Sequence, residues 1–174
     1  GNRVKSGDLK EITLTTNGSQ LAKYAFDLAR FGVKRINVSL DSLNPDKFRT
    51  VTRWGKLEDV LHGVSVAKDA GLEIKINAVA LKNFNDNEVN EMITWCGDEK
   101  FDLTFIETMP MGEIDDDRTN QYLPLSDLKK DIIKNWTLTK TDHKTGGPAT
   151  YFDIEETGKR IGFITPLTHN FCES

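Results

Sequence analysis

Ile36-Asn37-Val38-Ser39-Leu40-Asp41, with Asn44-Pro45 soon after it, is an apolar run that closes in polar residues and leads into a helix start. Three other stretches have the same form: Ile12–Gly18, Ile74–Asn77 onward, and Leu103–Gly112. Each reads as a strand with its chemistry at the end. Helix-length amphipathic segments separate the runs, so successive strands must be parallel, because an antiparallel return needs only a short turn. Units alternating in this way predict an α/β sheet or barrel whose active groups gather at the carboxyl ends of the strands.

The segments between the strands carry their own start and stop signals. After Ile12-Thr13-Leu14-Thr15-Thr16, the pair Asn17-Gly18 tolerates the positive φ of a sharp turn, and Leu21, Ala25 and Leu28 then follow at helical spacing up to Gly32. Asn44 is an N-cap candidate with proline at the first helical position, and a short helix runs through Phe48. Leu57, Val60, Leu61 and Val64 mark a longer helix closed by Gly71, and Ile74–Leu81 resumes a strand. Asn85-Asp86 opens a helix with apolar Val89, Met92, Ile93 and Cys96 and with Gly97 just past its end; Leu103–Met109 is the fourth strand.

Beyond it the texture changes. Residues 112–119 are an acidic loop, Ser126 is placed to cap a helix bearing Leu128, Ile132, Ile133 and Trp136, and short strands follow around Gly146-Gly147-Pro148 and Gly158. A boundary near Arg118 divides an α/β domain (1–118) from the start of a second, α+β domain (119–174).

The 174 residues, 37% hydrophobic and 29% charged, have ordinary globular composition, and a formal charge of −4 argues against a general nucleic-acid surface. No apolar stretch reaches the ~20 residues of a membrane helix. The polar start lacks a signal-peptide core. A cytoplasmic, soluble protein is expected, without membrane or nucleic-acid partners. Two cysteines, Cys96 and Cys172, exclude a disulfide scaffold, and neither has a Cys or His at ordinary metal spacing. Gly1-Asn2-Arg3 leads almost directly into a strand and Phe171-Cys172-Glu173-Ser174 ends without a cap, so both termini are expected to be cuts in a longer chain.

Several side chains could carry chemistry. The hydroxyls of Thr15 and Thr16 either bond a ribose or phosphate oxygen or brace the turn through backbone bonds. Ser39 has the same two readings, and nearby Asp41 could cap the next turn. Lys75 stands out, because parallel strands are normally buried on both faces and a buried ammonium needs a partner or ligand. It could clamp a phosphate, serve as a Schiff-base amine, or be a paired lysine at an exposed strand start. By composition Met109 reads as a core filler and Cys96 as a small buried apolar residue. His62, His143 and His169 lack companion ligands, and Asp115-Asp116-Asp117 lacks the rest of a calcium loop.

Taken together, Leu14–Gly18, Ile36–Asp41, Lys75-Ile76-Asn77-Ala78-Val79, Phe105–Gly112 and Gly162–Cys172 closely resemble the GTP 3′,8-cyclase family, radical S-adenosylmethionine (SAM) lyases that open molybdenum cofactor biosynthesis. The resemblance runs from about Ile12 to the last residue. It implies a partial (β/α) TIM-type barrel of the radical SAM kind followed by the start of an α+β extension, two 4Fe-4S clusters, and SAM-dependent cyclisation of GTP to a pterin precursor. By the same resemblance, Thr15 and Lys75 match GTP contacts, Ser39 and Met109 match SAM contacts, and Cys172 matches a ligand of the second cluster. No catalytic residue is implied. The three-cysteine loop of the SAM cluster, the glycine-rich SAM segment and the distal GTP arginines should lie outside this chain, which by itself is expected to be inactive.

Thr104 departs from many relatives, which place a GTP-binding arginine there. The resemblance also implies an electron donor and leaves open a pterin-synthesis partner protein and a homodimer. Two rival readings stand beside it: a Schiff-base aldolase using Lys75, and a barrel fragment acting as a non-catalytic binding module.

Overall fold

The computed structural model describes residues 12–108, 121–144 and 147–165. The chain divides into two compact units, Gly1–Asn77 and Ala78–Ser174.

In the first unit β1 (Ile12–Thr16), β2 (Val33–Ser39) and β3 (Glu73–Ala80, whose last three residues belong to the second unit) lie side by side and parallel. The helices α1 (Leu21–Arg30), α2 (Pro45–Thr52) and α3 (Leu57–Asp69) connect them, as the alternating pattern requires. One sheet face is apolar and dry: Ile36, Val38, Ile74 and Ile76 are buried there, as are Leu21 and Ala25 of α1 and Val60, Val64 and Ala67 of α3.

Gly18 turns β1 into α1 with a φ of +79°, and a Cβ on it would lie 2.8 Å from Val60 Cγ1. Only glycine meets both demands. Asn44 caps α2 as its sequence suggests, accepting from the amides of Asp46 and Lys47 at 3.0 and 3.2 Å. The preceding turn is braced by Ser42, which accepts from Asn44 N at 3.0 Å.

Among the described residues β1 pairs with β2 alone, so its outer edge is open. Leu14 is 38% exposed there. An unpaired edge of a parallel sheet is a template for association. The isolated 174-residue chain is therefore expected to self-associate as its concentration rises in sedimentation velocity; a monodisperse monomer throughout would contradict this.

In the second unit a short 3₁₀ turn (Asp86–Glu88) precedes α4 (Val89–Glu99), and β4 (Asp102–Glu107) pairs in parallel with β7 (Lys159–Ile164). After α5 (Leu125–Ile132), β5 (Leu138–Lys140) and β6 (Thr150–Ile154) complete an antiparallel run, β5-β6-β7. Asp102 and Arg160 lock the starts of β4 and β7, with Arg160 donating to Asp102 from N, Nε and Nη2. Arg160 Nη1 also meets His143 Nδ1 at 2.7 Å. That histidine is thus hydrogen-bonded, while His62 is exposed.

Several boundaries differ from those read in the sequence. β2 begins at Val33 and ends at Ser39, and β4 ends at Glu107. Asn85 precedes the 3₁₀ turn that opens at Asp86, but its side chain does not cap it; it turns back on the chain leaving β3, accepting from Leu81 N and donating to Val79 O, each at 2.8 Å. Gly97 lies inside α4, which stops at Lys100 with φ +68°. Close approach explains the glycine: a Cβ would sit 2.6 Å from Thr157 Cγ2. Ser126 is inside α5 rather than at its cap. The open N-terminal amide of Leu125 is taken by the Glu107 carboxylate at 2.8 Å, which also accepts from Tyr122 Oη at 3.1 Å. A carboxylate at a helix start is favoured by the helix dipole as well as by the hydrogen bond. Arg118, where the domain boundary was expected, lies outside the described residues.

Candidate functional site

The face of the first unit's sheet opposite the helices is polar. Residues in register on parallel strands share a face, and Thr15 registers with Asn37 and Asn37 with Lys75. One step nearer the carboxyl ends Ser39 registers with Asn77, and one step nearer the amino ends Thr13, Arg35 and Glu73 form a further row. With strands ~4.8 Å apart and ~6.6 Å between same-face residues along a strand, Thr15, Ser39 and Lys75 fall within about 10 Å of one another. Three expected site residues therefore converge: Thr15 and Ser39 close to the carboxyl ends of β1 and β2, where α/β folds place ligands, and Lys75 in the same register although only the third residue of β3.

Their environments differ in ways that matter chemically. Lys75 is 8% exposed, so the residue as a whole is largely withdrawn from water. Thr15 and Ser39 are exposed. The carboxamide of Asn37 bridges toward Thr15, with Nδ2 donating to Oγ1 at 3.4 Å. The Oδ1 atoms of Asn37 and Asn77 are excluded from solvent and accept no hydrogen bond. Buried acceptors are satisfied in most proteins, so two on one face mark a surface built to receive donors. A polar ligand able to donate hydrogen bonds fits such a lining; an apolar one would leave the two amide oxygens unsatisfied.

Thr16 takes the structural alternative open to it: its hydroxyl accepts from Gly18 N at 3.1 Å and braces the turn. Asn17 does likewise for Ser19. Of these two adjacent threonines, Thr15 is the one on the polar face. Met109 and Cys172, and with them Asp115-Asp116-Asp117 and His169, lie outside the described residues. Thr104, in the second unit, is fully buried beside Gly162 in register, and its hydroxyl accepts and donates no hydrogen bond.

Asn37 and Asn77 were not taken as site residues from the sequence, yet a signal was there. Arg35, Asn37 and Ser39, then Glu73, Lys75 and Asn77, alternate with Val and Ile in strands that a two-sided parallel sheet would make apolar throughout.

Cluster ligation requires thiolates, and the described residues include one cysteine. Cys96 is buried on α4, and that burial pushes its thiol well above the ordinary range, which makes it inert. No group of three metal-ligating side chains occurs among the described residues. The described part of the chain therefore does not fit an iron–sulfur cluster. Its polar sheet face does fit a nucleoside or phosphate ligand.

The chain is 62% identical over 171 residues to the GTP 3′,8-cyclase of Brucella ovis and 59% identical over 174 residues to that of Sinorhizobium medicae, which covers 98% and 100% of this chain. It spans about half the length of these curated relatives. Its fold is similar to Streptococcus suis SuiB, solved bound to S-adenosylmethionine (TM-score 0.57, 16% identity, 90% of this chain and 33% of that one). A second likeness is to anSMEcpe, solved with AdoMet and a peptide (TM-score 0.58, 20% identity, 72% of this chain and 37% of that one). The model of the Molybdenum Cofactor Synthesis C family matches residues 101–174, and that of the Radical SAM superfamily matches residues 3–96, a stretch that contains β1, β2 and β3 with the whole polar face. By that match over more than half its length, the chain belongs to the Radical SAM superfamily.

Proposed function

We propose that this chain is the central part of a GTP 3′,8-cyclase of molybdenum cofactor biosynthesis. The observation that carries the reading is identity of about 60% with cyclases over essentially the whole chain, including the strands that bear the polar row. In this reading Lys75 pairs with a phosphate oxygen of GTP, Thr15 donates to another oxygen of the same nucleotide, and Ser39 bonds the SAM nucleoside. Met109 contacts SAM and Cys172 ligates the second cluster, both on resemblance alone. SAM, when bound, supplies the radical that withdraws a ribose hydrogen before the ring closes on the purine. What this chain contributes is binding and orientation: a cation for phosphate, and hydroxyls for ribose or phosphate oxygens on one sheet face.

A cytoplasmic location fits this reading; no described helix is long and apolar enough to cross a membrane. An electron donor and a domain boundary near Arg118 belong to it as well.

Isothermal titration of the reconstituted full-length protein tests the reading. Saturable GTP binding with iron present supports it, and no affinity for GTP removes it in favour of a non-catalytic module. Borohydride trapping of a carbonyl substrate on Lys75 would instead favour the aldolase.

A further inference from the structure

We propose that Asn37 is a positioning residue that sets the direction in which the Thr15 hydroxyl donates. The inference rests on the nucleotide reading above and goes beyond it by assigning a residue that touches Thr15.

A threonine hydroxyl has one proton and two acceptor positions. Asn37 Nδ2 fills one acceptor position at 3.4 Å from the neighbouring strand. With a donor aimed at it from that side, the hydroxyl cannot point its own proton toward Asn37. The proton turns to the open side, where Thr15 is exposed, and meets a ligand oxygen there. Thr15 thus acts as a donor of fixed direction, suited to a phosphate or ribose oxygen that can only accept.

Packing alone does not account for an asparagine at this place. Its strand neighbours Ile36 and Val38 are fully buried and apolar, and the far atom of the carboxamide, Oδ1, is held dry with no donor. An asparagine that leaves an acceptor unsatisfied is disfavoured against an apolar residue unless its other end is used. Nδ2 is that end, and Thr15 Oγ1 is what it reaches. The row continues to Lys75 on β3, so a cation and an oriented hydroxyl flank the carboxamide on the same face, on the two adjacent strands. The arrangement recognises anionic oxygen from two directions.

The test is a double-mutant cycle in the full-length reconstituted protein, with GTP affinity read by titration calorimetry. Thr15→Val removes the hydroxyl and Asn37→Leu removes the orienting donor at similar volume. Each single change is expected to weaken GTP about three- to tenfold. Because Asn37 acts only through Thr15, the double variant should bind no worse than Thr15→Val alone. Asn37→Ser, a milder change that also lacks the Nδ2 donor, should reproduce the Asn37→Leu loss, and thermal melting checks that each variant is folded. Losses that multiply in the double variant, or an Asn37→Ser variant with wild-type affinity, would overturn the assignment and leave the nucleotide reading intact. If the wild-type protein binds no GTP at all, the nucleotide reading falls, and this assignment with it.

Discussion

Replacing Lys75 by alanine in the full-length protein is expected to weaken GTP binding by about 1.5–3 kcal/mol, the range for losing a hydrogen bond to a charged group, or roughly 10- to 150-fold. The reason is location as much as charge. Lys75 lies within a strand rather than at a tip, is 8% exposed, and registers with Asn37 beside Thr15. A phosphate brought there pairs with a cation on a largely buried residue, where the attraction between charges is screened less than in bulk water. Lys75→Met keeps most of the aliphatic stem and should lose nearly as much affinity as alanine, which separates charge from packing. Calorimetric titrations of both variants check this, and an affinity equal to wild type in either would remove Lys75 from the site.

The second large effect is on stability. Gly18→Ala is expected to cost about 2–4 kcal/mol, from a left-handed backbone that disfavours a Cβ by ~1–2 kcal/mol and from overpacking of a similar size. The φ is +79°, and the new Cβ would fall 2.8 Å from Val60 Cγ1 and 3.3 Å from Val38 Cγ1. These two terms can be told apart. Val60→Ala removes the nearer obstacle, so Gly18→Ala should cost less in that background than in wild type, while the backbone part persists. Urea unfolding of the four proteins in the cycle measures both, and a Gly18→Ala midpoint unchanged from wild type would refute the account. Because Gly18 follows two residues after Thr16 and its carbonyl accepts from Leu21 N at 3.1 Å, the variant should also disturb GTP affinity through the end of β1.

Much of the fold was legible because its signals are local. Asn44-Pro45 marked a helix start, Gly32 and Gly71 marked stops, and Val89, Met92, Ile93 and Cys96 marked a buried stripe; each is a matter of spacing or of one residue's backbone preference. The errors share a different cause. Ser126 has a cap's chemistry, but the helix begins one residue before it, at Leu125, whose amide is taken by Glu107, eighteen residues away. Gly97 has a terminator's identity, yet it is a glycine because Thr157 packs against it. Long-range contacts decided both, and no window of sequence contains them.

For the site, residue chemistry and its position on strands were determined by the sequence itself: a lysine inside an apolar run, threonines and a serine at strand ends, and polar residues at every second position. Tertiary structure alone decided which of them share a face and a row. Register between parallel strands aligns Thr15, Asn37 and Lys75 in one row, whereas a slip of a single residue would turn a strand's side chains to the other face. The same pairing separates Thr15 on the polar face from Thr16 in the turn, two adjacent threonines that local sequence cannot tell apart. Alternation is written along the chain, but lateral neighbourhood exists only once the strands have paired.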